Sequence, residues 1–389
     1  MIELDPNSSQ QEKWNTIVKK CKEAGKEVFG KEERRERIEN PTVKKLIEEK
    51  QKIKKDINSV KDQQTRKEKC KELRKIKKEI KKSIKEHEEK QLDEELKKLE
   101  ASKDDSSRYY RVMREMQYKK PRPLKIKDEE NKMAGTDERK AEIITIYFKK
   151  MFAPDGYNIQ LKEYPPTRMS IPFTGEEVQG AAKRLKNGKS GNGSDTLHAE
   201  FIKYANEKVH DHTADIFNVV AETGEHPEEL KMGILTPLEK PGKKQKIGGE
   251  GDHLRPIMLL SVLRKMLTIC IIQRIWDRLK LRIPHEQAAY QGERSGAEQV
   301  LSVKLLLEKA INSSDYTVFL SLFDMSKAFD TVNRQKLFEH LENILNPDEL
   351  HLLSIITNFT KVKVKVNNVY GTMFTTLIGI MQGDCLSAL

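Results

Sequence analysis

Cysteine and long apolar runs are the features that this sequence has least of. Four cysteines occur in 389 residues, at positions 21, 70, 270 and 385, and none belongs to a CxxC pair. This spacing argues against a disulfide framework or a zinc site and predicts a reducing compartment. No run of about 18 apolar residues is present, so no membrane span is expected. The first thirty residues lack an apolar signal core, so the protein is expected to be intracellular and not secreted.

Apolar residues are scarce overall, and charge is abundant. Hydrophobic residues make up 36% of the chain and charged residues 34%, so one compact core through the whole length is not expected. The net charge of +12 is uneven, because residues 1–150 carry 44 Lys+Arg and 32 Asp+Glu, whereas residues 151–389 carry 29 of each. This basic part indicates a polyanionic partner such as RNA or DNA. The alternative is a solvated helical surface with a mild lysine excess.

Residues 1–123 are predicted to form a basic helical arm. Within residues 41–100, apolar side chains recur at helical spacing, at Leu46, Ile53, Ile57, Val60, Leu73, Ile76, Ile80, Ile84, Leu92, Leu96 and Leu99. This narrow seam predicts two helices that pair as a coiled-coil hairpin, or one helix that self-associates or packs on another partner. A lone exposed helix is the alternative. Prolines in the stretch Lys119–Pro123 exclude a helix and predict a linker.

Residues 124–170 are predicted to form a connector, and residues 171–389 are predicted to form a globular α+β domain. An amphipathic pattern at Glu138–Phe152 predicts a short helix in the connector. Within the domain, Lys361–Val366 alternates lysine and valine, and two asparagines follow, which predicts a β-hairpin with one wet face. Helix starts are predicted at Thr174, Asn333 and Asn346, which are residue types that cap helices.

An apolar, β-prone run at Thr317–Phe323 predicts a buried strand, and Asp324 follows it directly. A carboxylate at a strand end can bind one of the two divalent ions used in nucleotidyl transfer, since Mg²⁺ prefers oxygen ligands. A strand-end Asp more often caps the following turn, and spacing alone does not decide between these roles. The helix preceding this run is expected to contribute core residues at Val300, Leu301, Val303, Leu305 and Leu306.

Two short segments carry a family resemblance. Residues 324–330 read DMSKAFD and residues 379–387 read GIMQGDCLS. Both resemble palm motifs of the reverse transcriptases of non-LTR (LINE-type) retrotransposons, and the resemblance extends from about Ile171 to Leu389. It implies a helix-rich α+β chain in which long charged N-terminal helices precede an incomplete right-hand polymerase, with fingers and a partial palm. Asp330, the last acid of the first motif, is expected to be structural.

The resemblance implies roles for individual residues. Asp324 would be the catalytic carboxylate, and it would bind Mg²⁺ together with the backbone carbonyl of Met325. Phe329 would take the place of the aromatic that rejects a ribose 2′-OH. Gln382 and Gly383 would lie against the nascent base pair and template, the glycine because it has no β-carbon.

A basic stretch resembles the fingers motifs that contact the incoming nucleotide. Residues 231–265 contain eight Lys+Arg and three acidic residues. Arg255 would contact the triphosphate, because a planar guanidinium suits phosphate oxygens. Lys240 or Lys243 would assist, and the sequence does not choose between them. Further along, the family has Gly-Phe-Arg where residues 289–291 of this chain read AYQ.

The function implied by the resemblance is RNA-directed DNA polymerisation, with an RNA template, a DNA primer, deoxynucleoside triphosphates and Mg²⁺, in the nucleus and/or cytoplasm as a ribonucleoprotein. The family's next motif carries two adjacent aspartates and would lie past Leu389, so this chain alone is expected to be inactive. The alternative is a non-catalytic nucleic-acid-binding, coiled-coil relic of such an element. The central expectation is that Asp324 leaves a β-strand into an open cleft beside Gln382 and Gly383.

Overall fold

The computed structural model describes residues 4–29, 41–59, 63–100, 124–128, 130–157, 161–188, 193–243, 251–292, 294–313 and 317–388. The chain divides into two compact units. The larger unit comprises Met1–Gly30 and Leu124–Leu389, and the smaller unit is Lys31–Pro123. The linker predicted at Lys119–Pro123 lies outside the described residues.

The smaller unit contains two helices that pack against each other, α2 (Pro41–Ser59) and α3 (Gln63–Glu100). Among its described side chains, Val43, Ile76 and Ile80 are buried. Lys69 of α3 forms a 2.7 Å ion pair with Asp56 of α2 near the point where the chain passes from one helix to the other. The apolar seam is narrow because charged residues surround it on both helices.

The larger unit is helix-rich and contains a small mixed sheet. Its helices are α1 (Gln10–Phe29), α4 (Asp137–Phe152), α5 (Gly175–Arg184), α6 (Ala199–Lys203), α7 (Glu207–Thr223), α8 (Val262–Leu279), α9 (Gly296–Ile311), α10 (Arg334–Leu341) and α11 (Pro347–Thr357). Short 3₁₀ turns lie at Glu228–Leu230, Lys280–Arg282 and Cys385–Ala388. This is the helix-rich α+β class that the sequence predicts. None of the described helices is both long and apolar enough to span a bilayer.

The predicted helix starts are confirmed by their hydrogen bonds. The side chain of Thr174 accepts from the amide of Glu177, and that of Asn333 accepts from the amide of Lys336. At the third start, the amide of Asn346 donates to the Glu349 carboxylate. Each bond satisfies a group that the first helical turn leaves unpaired, which explains why these residue types predict the starts.

The strands are β1 (Met232–Glu239), β2 (Leu254–Leu260), β3 (Lys361–Val366), β4 (Val369–Tyr370) and β5 (Phe374–Thr375). β1 pairs antiparallel with β2 and parallel with β3, and β3 also pairs antiparallel with β4 and β5. β3 therefore lies inside the sheet, between β1 on one side and the two short strands on the other. The predicted hairpin is confirmed, with Asn367 in the left-handed conformation at its turn (φ 54°). Its second strand is divided into β4 and β5.

Two apolar clusters stabilise the larger unit. In one, α4 packs across one face of the sheet, where Phe148, Leu235, Val362 and Val364 are fully buried. In the other, the remaining helices except α9 pack around Phe217, Leu263 and Ile356. Because lysines occupy the alternate positions of β3, the sheet has one face in the core and one face turned away from it.

Helix α1 belongs to the larger unit, not to the arm in which the predicted domain boundary places it. The sequence places residues 1–123 in one arm, but α1 packs in the core of the larger unit, where Trp14 and Ile17 are fully buried. Side chains of α1 also bond to that unit, for example Gln11, which accepts from the amide of Glu228 at 2.7 Å. The charge-based boundary failed here because the few apolar side chains of α1 lie on one face, among many lysines and glutamates.

Two predicted core segments are exposed. Residues 317–325 form no strand, and Phe319 and Phe323 are 89% and 95% exposed. Helix α9 has no buried residue, so the predicted core role of Val300 and its neighbours is wrong. A β-strand needs a neighbouring strand for its backbone hydrogen bonds, and an apolar helix stripe needs a covering surface. The described part of the chain supplies neither to these segments.

Candidate functional site

A cleft of about 1400 Å³ brings together most of the residues singled out in the sequence. Its wall consists of Lys240, Pro241, Lys243, Asp252, His253, Arg255, Pro256, Tyr290, Asp324, Met325, Ser326, Lys327, Ala328, Phe329, Asp330 and Gln382. Of the predicted site residues, only Gly383 is missing from this wall. The cleft therefore joins four stretches that are separated by up to about 140 positions in the chain.

The basic side of the cleft is built by the β1–β2 pair. β1 ends at Glu239, so Lys240 and Lys243 lie in the connection that leaves the sheet, and Arg255 is the second residue of β2. The antiparallel register places Arg255 opposite Leu238, and its side chain is exposed. The ammonium of Lys240 donates to the backbone carbonyl of Asp252 at 2.9 Å. Burial and the charge of Lys243 lower the pKa of Lys240, as expected where cations are gathered.

The acidic side of the cleft is the segment 324–330. Asp324 is exposed at the cleft and makes no hydrogen bond or ion pair with the described residues. A tight turn follows, in which the amide of Asp330 donates to the carbonyl of Lys327 at 2.9 Å. Lys327 has a φ of 55°, an unusual left-handed conformation for a residue with a long side chain. The cleft that the sequence predicts is thus present beside Asp324, whereas the strand that was expected to lead into it is absent.

A hydrogen-bonded network holds the turn at Lys327 against the rest of the cleft. The hydroxyl of Tyr147, on α4, donates to the Asp252 carboxylate at 2.6 Å and accepts from the Lys327 ammonium at 3.1 Å. Lys327 also lies 3.3 Å from the same carboxylate. Burial, together with the hydrogen bond to Asp252, raises the pKa of Tyr147 to about 12, so the hydroxyl keeps its proton at neutral pH.

Charge and hydrogen bonding stabilise the ionised forms of the other two members of this network. The hydrogen bond from Tyr147 and the nearby Lys327 ammonium lower the pKa of Asp252. Burial by itself would lower the pKa of Lys327, but the contacts with Tyr147 and Asp252 outweigh it, and the pKa is raised. The network therefore joins α4, the β1–β2 connection and the turn after Asp324 by charge-assisted bonds.

Gln382 is anchored on both its backbone and its side chain. Its carboxamide donates to the carboxylate of Asp330 at 2.9 Å, and its carbonyl accepts from the amide of Met258 at 2.8 Å. Asp330 is 5% exposed, and burial raises its pKa. Two residues further on, Asp384 forms a buried ion pair with Arg264 at 2.8 Å. Gln382 thus borders the cleft as part of a rigid turn in which Asp330 has a structural partner.

Gly383 is required by packing against β2. Its φ is 115°, and a β-carbon built on it would lie 2.7 Å from the carbonyl oxygen of Met258. Both facts favour glycine, since only glycine combines a positive φ with such close backbone approach. The contact of Gly383 with a nucleotide stays a prediction, because the strand contact already explains why glycine is needed.

Phe329 and Tyr290 form the aromatic part of the cleft. Their ring centroids lie 6.5 Å apart with planes at 90°, an edge-to-face arrangement. Both rings also line a mostly apolar cavity of about 580 Å³ that extends to Leu337 and Ile380. The amide of Ile380 donates to the carbonyl of Phe329 at 2.8 Å, so the backbone behind the ring is fixed. Tyr290 stands at the central position of the sequence triplet that departs from the family pattern.

The buried guanidinium of Arg334 fixes the chain that leads to Gln382. It is 2% exposed and donates to the carbonyls of Gly379, Thr376 and Ile378 and to the Thr376 hydroxyl. Burial and the charge of Arg264 lower its pKa. Since no carboxylate among the described residues forms an ion pair with it, these four acceptors are what compensates its burial.

The carboxylates at the cleft differ in their freedom to bind a metal ion. Asp252 and Asp330 are engaged with Tyr147 and Gln382, whereas Asp324 is free of such contacts with the described residues. Among those residues, no group of three or more His, Cys, Asp and Glu side chains is placed to hold an ion. Mg²⁺ is commonly bound by one or two carboxylates together with substrate phosphates and water. Asp324 suits one such ligand position.

Sequence reasoning missed the network around Lys327. Tyr147 and Asp252 are 105 positions apart, and neither belongs to a recognisable motif. Lys327 lies inside the DMSKAFD segment, which was the one available signal. The Gln382–Asp330 bond was also missed. The resemblance implied that the two motifs lie close together, but it did not indicate which side chains bond.

Comparison with known proteins supports the resemblance. No protein-family model matches the chain. It is 27% identical over 231 residues to a protein described as "Probable RNA-directed DNA polymerase from transposon BS", covering 58% of this chain and 25% of that protein. It is 26% identical over 245 residues to "RNA-directed DNA polymerase from mobile element jockey", covering 60% and 26%. Both are from Drosophila melanogaster.

A third Drosophila melanogaster protein, "Probable RNA-directed DNA polymerase from transposon X-element", is 24% identical over 280 residues, covering 69% of this chain and 30% of its own length. The resemblance to non-LTR retrotransposon reverse transcriptases is therefore confirmed at the level of sequence. The matched region spans between a quarter and a third of the length of these relatives.

Proposed function

We propose that this chain is the nucleotide-binding portion of an RNA-directed DNA polymerase of a non-LTR retrotransposon. The observation that carries the proposal is the cleft, where Lys240, Arg255, Asp324, Phe329 and Gln382 meet although they come from separate stretches of sequence. Cations on one side and a free carboxylate on the other suit a nucleoside triphosphate and its metal ion. The partners would be an RNA template, a DNA primer and deoxynucleoside triphosphates.

Each wall of the cleft has a proposed task. Arg255, with Lys240 or Lys243, binds the triphosphate, and the exposed guanidinium is free to do so with its planar pair of donors. Asp324 and the Met325 carbonyl bind Mg²⁺, whose chemistry is to neutralise the triphosphate and activate the primer hydroxyl. The network of Tyr147 and Asp252 keeps the turn after Asp324 in place, so that the carboxylate faces the cations.

Phe329 is proposed to select deoxyribose. The ring lines the cleft, is half-buried and has Tyr290 at its edge, so it cannot move away without disturbing that contact. A 2′-hydroxyl on the incoming sugar would meet this ring. Gln382, anchored to Asp330, would support the template side.

We also propose that the 389-residue chain does not extend primers by itself. Catalysis with two metal ions needs several carboxylates at one place. At this cleft, two of the three nearby aspartates are bound to protein partners. In a complete version of the enzyme, Asp324→Asn is expected to abolish synthesis while RNA binding persists. Location in the nucleus and/or cytoplasm, as a ribonucleoprotein, belongs to the same proposal, as does a nucleic-acid-binding role of the basic arm.

The test is titration of the 389-residue chain with a fluorescent deoxynucleoside triphosphate in the presence of Mg²⁺. Arg255→Gln should weaken binding roughly tenfold, the equivalent of about 1.4 kcal/mol. Asp324→Asn should remove the Mg²⁺ dependence of binding. Arg282→Gln is the matched control, since Arg282 is exposed and does not line the cleft. Absence of nucleotide binding, or equal affinity of all variants, would favour the non-catalytic alternative.

A further inference from the structure

The sheet face turned away from α4 carries a row of lysines on β3. Lys361, Lys363 and Lys365 alternate with three valines that are buried in the core under α4. Successive side chains of a strand point to opposite faces, so all three lysines project from the same face, about 6.7 Å apart along the strand. They are half-buried. None of them forms an ion pair with a carboxylate of the residues that the structure describes.

The alternation of lysine and valine fits a strand with one wet face, but three lysines in one row are uncommon on an interior strand. Lysine is depleted in strands, and where sheets use it, it commonly protects an edge. β3 is an interior strand, with β1 on one side and β4 and β5 on the other. Like charges that lie close together repel. Lys231, the residue before β1, is an example, because burial and the charge of Lys361 lower the pKa of Lys231. Residues that break a local rule without a structural gain are candidates for function.

The rest of this face suits a nucleic acid. Tyr370 of β4 is 50% exposed, and the Lys365 ammonium lies 5.6 Å from its ring centroid. Ile234 of β1 pairs with Lys363 and is buried, so an apolar side chain lies beside the lysine row. Lysines that are only half-buried, beside an exposed aromatic ring, are the features of a surface that binds phosphates and stacks an unpaired base.

The row also continues towards the cleft. β1 runs parallel to β3, from Met232 opposite Lys361 to Glu239 beside Lys240, a distance of about 23 Å. Leu238 lies on the same face of β1 as Ile234, since they are four residues apart, and Leu238 pairs with Arg255. The lysines of β3 and the cleft residue Arg255 therefore belong to one sheet face.

We propose that Lys361, Lys363, Lys365 and Tyr370 form a track that binds the backbone of a single-stranded nucleic acid and leads it to the cleft. The lysines contact phosphates, and the ring of Tyr370 stacks on a base. A single strand is favoured over a duplex because stacking on a side chain needs an unpaired base. This inference rests on the proposed function for the direction of the strand, but binding itself is independent of catalysis.

The test uses the whole 389-residue chain and two fluorescein-labelled probes, a 20-nucleotide oligouridine RNA and the corresponding oligo-dT DNA. The variant is Lys363→Gln with Lys365→Gln. The matched control is Lys149→Gln with Lys150→Gln, which removes the same charge from exposed positions of α4, on the other side of the sheet. Binding is measured by fluorescence anisotropy over a series of salt concentrations, after circular dichroism shows that both variants are folded.

The track variant should bind roughly tenfold more weakly at low salt, and its salt slope should fall by about 1.4, since each phosphate contact on a single strand contributes about 0.7. The control should change neither quantity appreciably. Equal losses in both variants, or an unchanged slope in the track variant, would overturn the proposal, as would absence of binding by the wild-type chain. Stronger binding of RNA than of DNA would identify the template strand as the occupant, and equal binding would indicate backbone recognition shared by both.

A cross-linking arm locates the contact. RNA carrying 4-thiouridine should cross-link to a peptide containing Tyr370 in the wild-type chain, and Tyr370→Ala should lose this product while Tyr370→Phe retains stacking affinity. Cross-links confined to residues outside 361–375 would contradict the track. Failure here leaves nucleotide binding at Arg255 and Asp324 untouched, whereas failure of nucleotide binding with intact cross-links would reject the polymerase proposal alone.

Discussion

The carboxamide of Gln382 donates a 2.9 Å hydrogen bond to the buried carboxylate of Asp330, which joins the two sequence motifs that carry the family resemblance. Burial raises the pKa of Asp330, and the bond from Gln382 offsets this only in part. A folded-state pKa above the unfolded value means that the stability contributed by protonation is present below the unfolded pKa of about 3.9 and is lost as pH rises through the folded pKa.

Asp330→Asn keeps the acceptor for Gln382 and removes the titration. The stability of the wild type relative to this variant should therefore decrease as pH rises from about 4 towards neutrality. Urea unfolding of both proteins at several pH values measures the difference. Asp155→Asn, at an exposed position, is the control for the loss of one acidic side chain. If the wild type instead becomes more stable relative to Asp330→Asn as pH rises, the pKa of Asp330 is not raised in the folded state.

Gly383→Ala should destabilise the turn that carries Gln382 by about 1–3 kcal/mol. The reason is local, because φ is 115° and the new β-carbon would lie 2.7 Å from the Met258 carbonyl oxygen. Gly292→Ala is a matched control, since a β-carbon at Gly292 would have no atom within 4 Å. The free energy of unfolding is measured for both variants. Equal values would show that a β-carbon at position 383 does not clash with the Met258 carbonyl.

Tyr147→Phe tests the network behind Lys327. The substitution removes the hydroxyl that joins Asp252 and Lys327 but leaves the ring and the 3.3 Å ion pair between those two residues. The lost hydrogen bonds are worth about 1 kcal/mol in holding the turn after Asp324 in place. A magnesium–deoxynucleotide complex should therefore bind roughly fivefold more weakly. Thermal unfolding should change little, because Asp252 is exposed. A large fall in stability with unchanged nucleotide affinity would assign Tyr147 a purely structural role.

Local signals explain what the sequence predicts correctly. The caps at Thr174, Asn333 and Asn346 and the hairpin at Lys361–Val366 depend on neighbours a few residues away, so the pattern contains all that is needed. Asp324 and Gln382 also line one cleft, as the motifs led us to expect. In that case the information came from the resemblance and not from spacing.

Burial depends on partners, and this explains the errors. The run Thr317–Phe323 has every local feature of a buried strand, yet it pairs with no described strand and lies exposed. The apolar stripe of α9 was predicted to be buried and is not, for the same reason. In the opposite direction, the highly charged α1 was assigned to the arm although Trp14 is fully buried in the larger unit. Long-range contacts such as Tyr147 with Asp252 leave no trace in a single sequence.

Phe329→Val should relax sugar selection in a complete enzyme that contains this chain. The smaller side chain would leave space where the ring now meets Tyr290 at 6.5 Å, so a ribose 2′-hydroxyl would be accommodated. Incorporation of a ribonucleotide relative to its deoxynucleotide, measured in single-nucleotide primer extension, should rise. Phe329→Tyr preserves the ring and is the control. Undiminished discrimination by the valine variant would remove Phe329 from sugar selection.

Exposed phenylalanines in the segment 317–325 should make this chain self-associate. Phe319 and Phe323 are 89% and 95% exposed, and contiguous apolar surface of this kind promotes association. Phe319→Ser with Phe323→Ser should increase the monomer fraction in analytical ultracentrifugation and lower the binding of an apolar dye. The free energy of unfolding should change by less than about 0.5 kcal/mol, since neither ring is buried. By contrast, Phe338→Ser, at a position that is 3% exposed, should destabilise by about 3–5 kcal/mol. If the double variant instead unfolds as readily as Phe338→Ser, the two rings must be buried in solution, and the exposed course of this segment would be wrong.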